Sequence, residues 1–194
     1  MIVFMPHIFG ESIYDSIDQI KEFETISAMK EYLCSLYNKH LNININNIVI
    51  DDQKSHNDER LGWKDKKYVC LKKDGTSICI GYCATKYKNL NETINKLRIE
   101  KEESDSITTL IFIVKNMNTE NYFHLGKYAE QRVCLFKENE LWKVYETERG
   151  EIIDEKCHTK CLNACIDVIY RLSDTKEMFE NNKKKYLKIK TLNK

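Results

Sequence analysis

Apolar positions along the chain alternate between two periods, and each switch marks a change of element. Ile2–Met5 is a continuous apolar run that reads as a short strand, stopped by Pro6. Ile13, Ile17 and Ile20 follow Gly10 at the spacing of one face of a short helix. Met29, Leu33 and Leu36 predict a helix from Thr25 to Asn38, with Lys30 and Glu31 towards water. Asn42, Asn44, Asn46 and Asn47 break that period, and Ile48–Ile50 is the next strand candidate. Residues Asp51–Lys66 are polar and read as a loop. Tyr68–Leu71 and Ile78–Ile80 then flank Asp74-Gly75, a dipeptide suited to the positive φ angles of a tight hairpin turn.

Ile94 and Leu97 set the inner face of a helix over Asn91–Lys101. Its charged end, Glu100–Asp105, reads as a linker. Ile107–Val114, rich in β-branched residues, predicts a buried strand, and Asn116–Lys127 a loop. Arg132–Phe136 and Leu141–Tyr145 predict a second hairpin around Asn139-Glu140, closed by Gly150, with Ile152 and Ile153 adding a short strand. A helix over His158–Leu172 and a lysine-rich helix capped by Ser173-Asp174 complete the chain. The expected architecture is α+β: small antiparallel sheets, each a hairpin packed with helices. The expected division is an N-terminal α+β domain, 1–104, and a C-terminal one, 105–194, with the terminal helices.

Composition narrows the function. The chain has 194 residues, 42% of them hydrophobic and 31% charged, and its formal charge is only +1, without the basic excess of a phosphate-reading protein. Nucleic acid is therefore not the expected partner, although the lysine-rich end, Lys183–Lys185 with Lys188 and Lys190, offers one local basic run. No apolar run reaches the roughly 20 residues of a membrane-spanning helix. The start of the chain lacks the charged leader and apolar stretch of a signal peptide, so a cytoplasmic location is expected. Eight cysteines are expected to be reduced there.

No nucleophile elbow, phosphate loop, dinucleotide fingerprint or metalloprotease histidine spacing occurs, so neither a catalytic residue nor a cofactor is assigned. Three kinds of site remain. Asp51, Asp52, His56, Asp58 and Glu59 could hold a divalent cation for hydrolysis, or form a solvated acidic loop. Cys79 with Cys83, and Cys157, His158, Cys161 and Cys165, could form a zinc-stabilised module. Cys157, Cys161 and Cys165 also share one helical face with Val168 and Leu172, which reads as core. The third is a recognition surface for a protein partner. Its candidates are the acids Asp51, Asp52, Asp58, Glu59, Glu146 and Glu148, with Glu151 beside them, and the aromatics Trp63, Tyr128 and Trp142. Tyr and Trp give large contact area at low entropic cost, and acidic groups match a basic partner. Trp142 and Tyr145, three apart on one strand, should face opposite sides of their sheet.

Met1–Gly10, Ile48–Asp52, Asp58–Asp65 and Cys79–Ala84 together resemble uncharacterised proteins of Firmicutes phages and mobile elements. Gly126-Lys-Tyr-Ala-Glu130, Trp142–Gly150 and a closing helix with Ala164 resemble the immunity proteins of bacterial polymorphic toxin systems, over residues 120–172. That resemblance implies a small α+β domain that binds a toxin and blocks it. The phage resemblance implies a related role, a counter-defence inhibitor of anti-CRISPR type that occludes a host nuclease. The expectation is a non-catalytic inhibitor acting by protein–protein contact. A metal-dependent hydrolase or nuclease on the Asp51–Glu59 loop and a zinc-stabilised binding module are the alternatives.

Overall fold

The computed structural model describes residues 1–7, 13–41, 43–59, 61–87 and 89–192, and the side chains of Ile13, Asp15, Lys39, His40, Leu41, Gln53, Lys54 and His56 lie outside that description. Gly10 and the imidazole of His56, both noted in the sequence, therefore fall outside the described residues. The fold is α+β and divides into two compact units, Met1–Ile99 and Glu100–Lys194.

The first unit holds a five-stranded antiparallel sheet of β1 (Ile2–Pro6), β2 (Lys21–Phe23), β3 (Ile48–Asp58), β4 (Trp63–Lys73) and β5 (Thr76–Ala84), in the order β2-β1-β5-β4-β3. Asp74 and Gly75 take φ of 51° and 77°, as the hairpin turn between β4 and β5 requires. Gly81 sits where β5 meets β1, and a Cβ there would lie 2.5 Å from the Met5 carbonyl oxygen and the Phe4 ring. Both faces of this sheet are covered. Helix α1 (Ile26–Leu41) places Met29 and Leu33 against Ile2, Phe4, Ile48, Val69 and Leu71. Leu36, expected in that stripe, is exposed, since the helix turns it away from the sheet. On the other face Val3, Met5, Leu61 and Trp63 pack with Ile17 and Ile20, around the 3₁₀ helix Ile13–Gln19, and with Leu97.

Residues 51–66 are not a loop. β3 runs on to Asp58 and β4 begins at Trp63, joined by a tight turn. Backbone pairing with β4 carries the polar segment as a strand, and because it lies at the sheet edge its side chains meet water without cost.

The larger correction concerns 100–114. Neither the linker Glu100–Asp105 nor a strand Ile107–Val114 exists. One helix, α2, runs from Leu90 to Asn116. Glu and Lys in the charged stretch are good helix formers. Ser106 and Thr109 donate their hydroxyls to the carbonyls of Glu102 and Asp105, at 2.6 and 2.7 Å, so neither competes with the helix. The apolar run obeys the helical period: Leu110, Ile113 and Val114 are buried, while Phe112 is 55% exposed.

The second unit holds a four-stranded sheet of β6 (Phe123–Leu125), β7 (Val133–Glu138), β8 (Leu141–Glu148) and β9 (Glu151–His158), in that order, with β6 parallel to β7 and the rest antiparallel. Both turn residues of the β7–β8 hairpin, Asn139 and Glu140, have positive φ, as do Arg149 and Gly150 between β8 and β9. Helix α3 (Cys161–Arg171), helix α4 (Lys176–Leu192) and the end of α2 cover one face. Leu110, Ile113, Val133, Leu135, Val144, Val168, Ile169 and Tyr186 form its core. Each such side chain stabilises by roughly 1.5–3 kcal/mol through burial. Thr175, not Ser173 or Asp174, opens α4: its Oγ1 accepts the Met178 N–H at 3.1 Å. The opposite face is covered in part by the segment 126–132, where the Cys134 thiol donates to the Ala129 carbonyl and Lys127 Nζ lies over the Phe136 ring. No helix among the described residues is long and apolar enough to cross a membrane.

Candidate functional site

The acidic candidates of the first unit are dispersed by the strand they lie on. Neighbours on a strand face opposite sides. Asp51 is registered against Tyr68, on the same side as Tyr82, whereas Asp52 reaches the other side and accepts from Lys67 Nζ at 2.5 Å. That hydrogen bond holds the Lys67 ammonium above its ordinary value. Asp58 Oδ2 accepts from Lys66 Nζ at 2.7 Å in a largely buried pair, and its Oδ1 caps the turn through the Leu61 N–H at 3.2 Å. The Lys66 ammonium also lies 4.5 Å from the Tyr82 ring centroid. Glu59 is exposed in the turn. Alternation along the strand therefore sets Asp52 on the face opposite Asp51, and no group of three or more His, Cys, Asp or Glu side chains that could hold a metal gathers among the described residues.

The aromatic candidates split as well. Trp63 and Trp142 are core residues, not surface anchors: each is over nine-tenths buried, because its strand parity turns it under the helices. Trp142 Nε1 donates to Glu103 Oε1 at 3.1 Å, and Lys137 Nζ reaches the same oxygen at 2.9 Å. Tyr145 does lie on the opposite face from Trp142, but it is buried too, edge-on to Phe136. Tyr128 is exposed, and its hydroxyl donates to Glu130. That bond, with backbone N–H groups of Gly150 and Arg149, holds the Glu130 carboxyl below its ordinary range.

Of the cysteine cluster, Cys161 and Cys165 are core. Cys157 is on β9 and exposed, so it does not share a helical face with Cys161 and Cys165. Those two thiols sit 3.9 Å apart, buried, and the shared hydrogen bond together with burial pushes the Cys161 thiol well above its ordinary value. Burial likewise pushes Cys83 up to about 11.

Two features of the second unit stand out. The first is a charge network centred on Arg171, whose side chain is 2% exposed. Its Nε donates to Asp167 Oδ1 at 3.2 Å, its Nη1 to Glu146 Oε1 at 3.2 Å, and its Nη2 to the Asp154 carbonyl and carboxylate at 2.7 and 3.0 Å. His158 Nε2 lies 2.9 Å from Asp167 Oδ2. Glu146 is thus consumed as a structural partner. Arg171 and Glu146 of this network line a cleft of about 510 Å³ together with Arg132, Tyr122, Met117, Met178 and Asp174. Its residues come from five elements, the 3₁₀ helix Glu120–Tyr122 with β7, β8, α3 and α4, and from the segments between them.

The second feature is the tip of the β8–β9 hairpin. Glu148 is registered directly opposite Glu151, a like-charge pairing that destabilises an isolated hairpin. Ile152 and Ile153, adjacent on β9 and so directed to opposite faces, are 52% and 42% exposed. β9 is an edge strand, exposed from Glu151 to Cys157. A register shift between Val144 and Glu146, at Asp154 with φ of 50°, divides that edge into two short stretches. Such a bulge blocks edge-to-edge pairing of copies while leaving the tip accessible. Searches against protein-family models, curated proteins and solved structures find no significant match to the chain.

Proposed function

We propose that the chain is a non-catalytic inhibitor that inserts the tip of its β8–β9 hairpin into a basic cleft of a partner protein. One observation carries this reading. At the tip two glutamates face each other and two isoleucines point to opposite sides of an uncovered edge. A sequence that places like charges opposite one another breaks a local rule of sheet pairing, and sites that break such rules without internal compensation are where function resides. Arg149 Nε offers Glu148 only a long contact at 3.8 Å. Cations of a partner would relieve the repulsion, and apolar walls on either side would cover the isoleucines. A nuclease cleft built to hold phosphates has that chemistry. The resemblance over residues 120–172 to immunity proteins of toxin systems, and the phage resemblance of the first half, support a toxin or a defence nuclease as the target.

A photo-reactive amino acid placed at Ile152 tests this, with Ile78 on β5, equally exposed, as the control position. Irradiation in cells expressing the adjacent genes should yield one crosslinked protein from position 152 and none from 78. Equal crosslinking from both positions, or none from either, rejects the reading.

A further inference from the structure

We infer that the cleft of the second unit binds a small zwitterion with an apolar body, of the α-amino acid class. The cleft measures about 510 Å³, within the range of roughly 300–1,000 Å³ typical of small-molecule sites. Its charges sort into two sets. Arg171 meets Glu146, Asp154 and Asp167, while Lys156 lies 3.8 Å from Asp154 and His158 2.9 Å from Asp167, so every charge of that set has a partner within the fold. Arg132 and Asp174 line the same cleft, and among the described residues neither has an ion-pair partner. One cation and one anion remain unspent.

The position of Arg132 is built rather than incidental. Its backbone N–H donates to Thr147 Oγ1 at 3.1 Å, and its carbonyl accepts from the Thr147 N–H at 3.0 Å. Thr147 is itself buried and also donates its hydroxyl to the Ala129 carbonyl. These bonds fix the backbone from which the Arg132 side chain enters the cleft. Gln131, beside it on the same wall, is held at φ of 55°, a region sparsely populated by residues with side chains. Asp174 lies exposed at the entry to α4, between Ser173, whose Oγ donates to the Ile169 carbonyl at 2.6 Å, and Thr175, which caps the helix.

The lining also includes an adaptable apolar part, alongside the polar Asn118, Thr119, Gln131 and Thr147. Met117 and Met178 are flexible thioethers that fit varied shapes, and Val133 and Leu172 form a buried floor. A carboxylate on Arg132, an ammonium on Asp174 and an apolar side group against the methionines would use both unpaired charges and the apolar part of the lining. A simple anion would leave Asp174 repelling it, and a simple cation would leave Arg132 doing so. This site is independent of the hairpin tip, whose residues Glu151, Ile152 and Ile153 do not line the cleft.

Titration calorimetry of the full chain with L-methionine, L-leucine and L-phenylalanine tests the inference, followed by the N-acetyl and amide forms of whichever binds tightest. The free amino acid should bind saturably, with each capped form at least about tenfold weaker. Arg132→Gln should weaken the free amino acid about tenfold and leave the amide unchanged, while Asp174→Asn should do the same and leave the N-acetyl form unchanged. Both side chains lack ion-pair partners, so both variants should keep the wild-type urea midpoint. No saturable heat from any of the three at about 10 mM, capped forms as tight as the free one, or variants binding like wild type would each overturn it.

Discussion

Two acidic strands, β3 in the first unit and the β8–β9 pair in the second, read alike in sequence and differ in what surrounds them. On β3 the carboxylates of Asp52 and Asp58 each meet a lysine of β4, one in solvent and one nearly buried. Their charge is neutralised within the fold, and the sheet they edge is covered on both faces. On the second hairpin, Glu146 and Asp154 are taken up by Arg171, but Glu148 and Glu151 are left facing each other beside two exposed isoleucines. The difference lies in the neighbours. Acidic residues make a recognition surface where the fold leaves them uncompensated, and the same residue types are ordinary structure where it supplies a cation.

The contrast predicts graded effects. Arg171→Met should cost most, roughly 3–5 kcal/mol, because it strands three carboxylates around a buried position; the urea midpoint reports it. Leu110→Ala should cost roughly 2–5 kcal/mol through the cavity it leaves, whereas Phe112→Ser should stay within about 0.5 kcal/mol. If 107–114 were a strand, positions 110 and 112 would share a face and respond together. In the first unit, Asp58→Ala should cost about 2 kcal/mol by orphaning Lys66, and Asp52→Ala less than about 1, since the Lys67 pair is solvated.

The smallest effect is a pH dependence. Hydrogen bonds from Lys127 and Lys143 hold the Glu138 carboxyl below its ordinary 4.5, and Tyr128 does the same for Glu130. A carboxyl with a lowered folded value stabilises fully above 4.5 and loses that contribution as pH falls through the lowered value. Denaturant midpoints measured from neutral pH downward should therefore decline below 4.5, and Glu138→Gln with Glu130→Gln should flatten the decline.

The hairpins were the most legible parts of the sequence: Asp74-Gly75 announces positive φ between apolar runs, and paired apolar runs flank Asn139-Glu140. The apolar run at 107–114 was misleading. Its β-branched content favours a strand, and only the helix's tertiary partners decide which of its side chains are buried. The polar stretch after Ile50 hid a strand for the converse reason: an edge strand needs backbone pairing, not apolar side chains. Of the candidate site, Glu148 and Tyr128 were visible and lie exposed. Trp63 and Trp142 were misplaced, since strand parity against the helices, not residue type, sets their burial. Arg132 and Asp174 were legible only as a hairpin start and a helix cap, and Arg171 not at all, because residues separated along the chain line one cleft only through the packing of the fold.

The central claim is that the β8–β9 tip is the surface a partner covers. Amide hydrogen exchange on the full chain, with and without the products of the adjacent genes, measures this directly. The account predicts that partner-dependent protection centres on Glu148–Ile153 and leaves β3 unchanged. Protection centred on β3 and its turn, with the hairpin tip exchanging as in the free protein, would contradict it.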